Sequence, residues 1–138
     1  MGKVTQVLIM AAVLLAVAAV AVGAQSASAP SALGSPPPTT SKQCYSNPCH
    51  GSANRETIYE RIGDRKSDTI YGYGNYDRIH ANTYSKDRDR VYGHGGSNYL
   101  YVNDNDTLDT AVGGPGHSRC YVDSKVEAGS GCDRVIVR

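Results

Sequence analysis

The stretch "SDTIYGYGNYDRIHA", residues 67–81, carries one short pattern twice: Asp68-Thr-Ile70-Tyr71 and, nine residues later, Asp77-Arg-Ile79-His80. The pattern (acidic or polar, any, apolar, any) recurs eight times along the chain. It starts at Glu56, Asp68, Asp77, Asp89, Asn98, Asp109, Ser118 and Asp133, in steps of 12, 9, 12, 9, 11, 9 and 15 residues. A long step plus a short one makes a unit of 21 residues. A fixed period in that range is the mark of a stacked repeat architecture.

Each unit reads as a two-sided coil, and each side as a short parallel strand with one apolar residue inward and its neighbours outward. Ile58, Ile79, Leu100 and Cys120 then form one inner column, extended by Ala81, Val102 and Val122. Ile70, Val91, Ala111 and Val135 form the other. The expected fold is all-β: a parallel β-roll, or β-solenoid, of about four coils over residues 56–138. The glycine clusters Gly72/Gly74, Gly93/Gly95/Gly96 and Gly113/Gly114/Gly116 fall on the short step alone. They predict tight corners that need positive φ. Tyr59, Tyr71, Tyr92, Tyr101 and Tyr121 each follow an inward position. Stacked at a strand spacing of about 4.8 Å, their rings would cover and stiffen the outer faces. Asn82, Asn103 and Asp123 align as a polar ladder that caps turn backbone.

The rest of the chain frames this repeat. Residues 7–22, "VLIMAAVLLAVAAVAV", are sixteen apolar residues behind Lys3. They have the form of a secretory leader and are short for a membrane span. Cleavage after Ala24 is expected, giving a secreted or cell-surface protein with no stable span. Residues 25–43, rich in Ser, Ala, Pro and Thr, read as a disordered spacer. Removing the leader takes away only Lys3 and leaves 13 basic residues against 13 acidic. That balance argues against nucleic acid as a partner. With no Trp or Phe but ten Tyr and fifteen Gly, a thin repetitive architecture suits the composition better than a bulky core.

Four cysteines in an exported chain point to disulfides, with three possible pairings. Cys44–Cys49 with Cys120–Cys132 closes two local loops and is the expected one. "CYSNPCH", residues 44–50, has four residues between its cysteines where a haem attachment signature has two. It reads as a disulfide-bonded cap, residues 44–55, covering the N-terminal end of the coils, with His50 uninvolved. His80, His94 and His117 fall at unrelated coil positions. No nucleophile elbow or carboxylate pair in a cleft is evident, so no catalysis is expected.

The short half-turns "GYGNYDRIH", "GHGGSNYLY" and "GGPGHSRCY" resemble the hemolysin-type (RTX) nonapeptide G-G-x-G-x-D-x-U-x. The final forty residues are similar to short secreted actinobacterial members of that family. The resemblance implies Ca²⁺ in the turns, held by the Asp at the sixth position. Here that position is Asp77, then Asn98, then Ser118, so one carboxylate of three is kept. The other column, Asp68, Asp89, Asp109 and Asp133, is acidic throughout. Stacking would bring like charges together, which is unfavourable without a cation or a proton between them. Either Ca²⁺ lies among them, with Asp87, Asp104 and Asp106 adding oxygens, or they splay towards Arg65, Lys66, Arg88 and Arg90. The expected metal set is Asp68, Asp77, Asp89, Asp109 and Asn98, in a calcium-binding module with cell-surface or matrix components as further partners. The alternative is a metal-independent structural or adhesive solenoid.

Overall fold

The structure is a computed structural model that describes residues 39–138. The leader and most of the spacer lie outside the described residues. The strands are β1 Thr40–Gln43, β2 Cys49–His50, β3 Glu56–Tyr59, β4 Thr69–Tyr71 and β5 Arg78–His80. They continue as β6 Arg90–Tyr92, β7 Tyr99–Tyr101, β8 Thr110–Val112, β9 Ser118–Val122 and β10 Cys132–Val137, with a 3-10 turn at Lys125–Glu127. All pairings between strands are parallel. They build a six-stranded sheet in the order β1-β3-β5-β7-β9-β10 and a four-stranded sheet in the order β2-β4-β6-β8. The chain is a β-solenoid whose successive coils lie 20 or 21 residues apart.

The inner columns run between the sheets. Ile58 pairs with Ile79, Leu100 and then Cys120, while Ile70 pairs with Val91 and then Ala111. All are fully buried, as are Ala81, Val102 and Val122. Full burial of an Ile or Leu contributes roughly 1.5–3 kcal/mol. The column is only one or two residues wide, so coil-to-coil hydrogen bonds must carry much of the stability.

The two ends differ from the sequence expectation. Thr40–Gln43, which composition places in the spacer, is strand β1 and pairs with β3. Residues 44–55 include strand β2, which pairs with β4. Cys44 and Cys49 enter the core as part of an N-terminal rung, bonded to each other across a Cα–Cα distance of 5.6 Å. At the other end, β10 joins β9 in the six-stranded sheet, so Val135 aligns with Cys120 and not with Ala111. Ala128 takes the place beside Ala111. The 15-residue step is long because it holds the 3-10 turn before the chain returns to the first sheet. Cys120 and Cys132 are bonded, with Cα atoms 5.7 Å apart.

The corners differ in mechanism only in part. Gly96, Gly114 and Gly116 have the expected positive φ, at 97°, 79° and 133°, whereas Gly72 and Gly93 do not; the left-handed residues beside those two are Tyr73 and His94, at φ 75° and 60°. What Gly72 and Gly93 provide is room. A Cβ on Gly93 would lie 2.8 Å from the Gly113 carbonyl oxygen of the next coil. A Cβ on Gly72 would lie 2.9 Å from Asp77 Oδ2. Coils at strand spacing leave no gap for a side chain at these positions.

The outer rings form two ladders. Tyr59, His80, Tyr101 and Tyr121 stack at 5.0, 4.5 and 4.4 Å. On the other sheet His50, Tyr71 and Tyr92 stack at 5.3 and 5.1 Å. His50 and His80 are therefore rungs, filling tyrosine positions with another flat ring.

Gly93→Ala should lower stability by about 1–3 kcal/mol, the usual cost of overpacking. The backbone it strikes is tied by the Gly93 N–H to Val112 carbonyl bond at 2.8 Å and cannot retreat. Gly95→Ala, whose Cβ would meet nothing closer than the Tyr73 carbonyl at 3.7 Å, should change the melting temperature little. Thermal circular dichroism of the two variants checks the pair.

Candidate metal centre

Where a strand begins, the backbone N–H of one coil needs an acceptor beyond the ladder, and a side chain one coil later supplies it. On the long-turn edge, Asp68 N–H donates to Asp89 Oδ1 at 2.7 Å and Asp89 N–H to Asp109 Oδ1 at 2.8 Å. Asp68 Oδ2 in turn accepts from Arg61 N–H at 2.8 Å. On the tight-turn edge, Glu56 N–H donates to Asp77 Oδ1 at 2.9 Å, and Asp77 N–H to Asn98 Oδ1 at 3.0 Å. Asp133 belongs to this edge, not to the long-turn column, because β10 sits in register with β9. Its Oδ2 accepts from Ser118 N–H at 2.8 Å.

The acids are thus hydrogen-bond acceptors first, and all of them but the exposed Asp133 are buried. Asp89 is 1 % exposed and Asp77 is fully buried. The carboxylates do not splay towards arginine or lysine. Among the described residues the one ion pair is Arg61 Nε–Asp64 Oδ2, at 3.3 Å. Each ladder aspartate spends one oxygen on a backbone N–H. The second oxygens of Asp77, Asp89 and Asp109 are buried with no hydrogen-bond partner.

On the long-turn edge those orphan oxygens meet other acids. Glu60, Asp87 and Asp89 each offer an oxygen, all within 4.8 Å of one another. So do Asp87, Asp104 and Asp109, and so do Asp106, Asp109 and Glu127. Asp87 and Asp109 are each shared between two groups, so the three merge into a continuous acidic channel along the solenoid. Of the expected metal set, Asp89 and Asp109 lie in the channel, while Asp68 stands outside these groups with its carboxylate engaged by Arg61 N–H. Asp77 and Asn98 lie on the tight-turn edge and join no such group.

Glu60 and Glu127 are absent from the expected set. Glu60 follows Tyr59 as Ala81 follows His80 and Val102 follows Tyr101, so it is a carboxylate in an apolar column, 1 % exposed. That break in the column is its visible signal. Glu127 caps the 3-10 turn, with Oε2 accepting from Asp123 and Ser124 N–H at 2.8 Å each. Its Oε1 is left buried and unpartnered. Nothing local marks Glu127, since its neighbours arrive from the preceding coil.

Burial raises the carboxyl pKa values, because desolvation disfavours the charged form. Asp109 is pushed up to about 8, by burial first, with Asp104, Asp106 and Asp87 adding repulsion. Asp104 is pushed up to about 7, by burial and then by Asp106. Asp89 rises well above the usual range through burial and its contact with Glu60. Asp77, on the other edge, reaches about 6, chiefly by burial. An all-oxygen donor set of this kind suits a hard divalent cation, which takes carboxylate oxygens at about 2.3–2.6 Å in the case of calcium.

The raised values set a pH dependence for the metal-free protein. Between the unfolded carboxyl pKa near 4 and the folded values, the native state holds protons that the unfolded state has released. Stability is therefore greatest at acid pH and falls as pH rises through about 8, the value for Asp109. In chelator, the melting temperature at pH 8.5 should lie below that at pH 5. A drop of at least ~5 °C is expected, the equivalent of roughly 1 kcal/mol for a domain of this size. A flat or rising profile would contradict the buried acids.

No protein-family model, curated protein or solved structure matches this chain.

Proposed function

We propose that the protein is a secreted calcium-binding β-solenoid module, in which Ca²⁺ is held along the long-turn edge. Glu60, Asp87, Asp89, Asp104 and Asp109 would supply the ligands, with Asp106 and Glu127 at the far end. The observation that carries this is the orphaned second oxygen of Asp89 and of Asp109, each buried and turned into a group of acids that makes no ion pair among the described residues. Two disulfides support an oxidising, extracellular setting. The resemblance of the tight half-turns to the RTX nonapeptide agrees with the metal but suggests the opposite edge for it. External calcium would then govern folding or surface attachment, and no catalysis is assigned. Affinity in the range of extracellular modules, on the order of 10⁻⁴–10⁻³ M, is expected.

A second function, a metal-independent structural solenoid, has its own support. The N–H to carboxylate ladder and the stacked rings hold coil to coil without any ion.

Asp89→Asn separates the two. The substitution keeps Oδ1 for Asp68 N–H and replaces the orphan oxygen with an amide that can donate to Glu60. If calcium binds there, affinity should fall roughly tenfold, and the calcium-dependent rise in melting temperature should shrink as mass action requires. Without calcium the same variant should be as stable as the parent or more so, because repulsion is relieved. Asp77→Asn, on the other edge, should leave calcium affinity unchanged. Titration calorimetry and thermal melts with and without calcium read both signs. No heat at millimolar calcium, together with a stabilised Asp89→Asn, would decide for the metal-free solenoid.

A further inference from the structure

The near-balanced total charge, +1 for the whole sequence, is unevenly distributed. Most long-turn acids are buried, and exposed Arg65, Lys66, Lys86, Arg88 and Lys125 share that edge, while the outer face of the six-stranded sheet is basic and aromatic. One outward row along the axis runs Thr57, Arg78, Tyr99, Arg119 and Arg134. Beside it runs the ladder from Tyr59 to Tyr121. No outward position in either row carries a carboxylate, and Asp133, in the bulge that opens β10, is engaged by Ser118 N–H. Arg78, Arg119 and Arg134 are exposed, and none has an acidic partner among the described residues. Arg78 and Arg119 lie over the Tyr99 ring at 5.8 and 5.2 Å, and Arg138 lies over Tyr121 at 4.7 Å. Rings hold Arg78, Arg119 and Arg138 in place, while Arg134 is exposed beside Arg119.

We infer that this face binds a linear acidic polysaccharide, its carboxylates taken by Arg78, Arg119 and Arg134. Two properties of the face select that chemistry. First, its groups lie along one axis: Arg78 and Arg119 stand two strands apart, about 10 Å at strand spacing, and Arg134 is directly beside Arg119 on the adjacent strand. A polymer bearing one carboxylate per disaccharide offers anions at the Arg78-to-Arg119 interval, with Arg134 beside Arg119 to share one of them. Second, the ladder rings stack face to face, with planes 14°, 1° and 12° apart, and so present edges and hydroxyls outward. Bases of a single-stranded nucleic acid need ring faces, and those are occupied here. Phenol hydroxyls and guanidinium donors remain, and they suit sugar hydroxyls and carboxylates. This inference stands apart from the calcium site, which lies on the long-turn edge.

The test is fluorescence anisotropy of a labelled hyaluronate oligosaccharide titrated with the calcium-equilibrated protein. Saturable binding that weakens with added salt is expected. Arg78→Gln/Arg119→Gln should weaken it roughly tenfold, the effect of removing two charged donors from a solvated surface, with the melting temperature unchanged. If the double variant misfolds, Arg134→Gln alone, which removes an exposed side chain, should still weaken binding about threefold. Asp89→Asn should bind like the parent even where its calcium affinity has changed, which keeps failure of one idea distinct from failure of the other. The inference is overturned by any of four results. These are no binding by the parent, Arg variants that bind like the parent, loss of binding in Asp89→Asn, and tighter binding to oligo-dT or to phosphatidylglycerol vesicles.

Discussion

A β-solenoid this thin must satisfy, at every corner, a backbone N–H that the strand ladder does not reach. Here a side-chain oxygen from the next coil does so, from Asp77, Asn98 and Asp133 on one edge and Asp89 and Asp109 on the other. The acceptor must be short and must point inward, which restricts it to Asp, Asn and their close relatives. Carboxylates are therefore drawn into the interior for a backbone reason. Each brings a second oxygen for which the backbone has no donor. On the tight-turn edge Asn98 and Ser118 reduce that excess of charge. On the long-turn edge aspartate is retained, and Glu60, Asp87 and Asp104 add to it.

The acidic channel is thus a by-product of corner satisfaction that other acids have enlarged. Buried carboxylates left without cations would weigh against folding at neutral pH. The fold offsets this in three ways. Backbone N–H groups solvate one oxygen of each ladder acid, burial and then the neighbouring acids lift pKa values so that protons can be retained, and the oxygens converge closely enough for one divalent ion to bridge three of them. On the proposed reading, proton and metal compete along that edge for the same orphan atoms.

Rings and guanidinium groups on the six-stranded face have a different origin. Outward positions at strand spacing favour flat side chains that can stack, and histidine serves as well as tyrosine, as the 1° angle between His80 and Tyr101 demonstrates. Arginine lies over such rings without disturbing the stack. Acid buried within the long-turn edge and base on the six-stranded face follow from two separate local constraints.

The repeat alone determined the architecture. Ile58 with Ile79, Ile70 with Val91, and the alternation of long and short steps specify parallel coils, because inward positions separated by one full unit can only stack. What spacing could not reveal was how coils touch. Spacing marks Gly72 and Gly93 for their φ, yet they serve by absence of a side chain, since the obstacle comes from a neighbouring turn. Asp133 matches the long-turn pattern but crosses to the other edge, because a 3-10 turn inside the last step changes which sheet receives β10. Asp89 and Asp109 are visible as a column with Asp87, Asp104 and Asp106 in the turns beside it, whereas Glu60 and Glu127 become their neighbours only through contacts between different turns. Periodicity fixes which residues share a column, while distances between side chains on separate loops depend on the path of each turn in three dimensions. The acidic channel belongs to that second class.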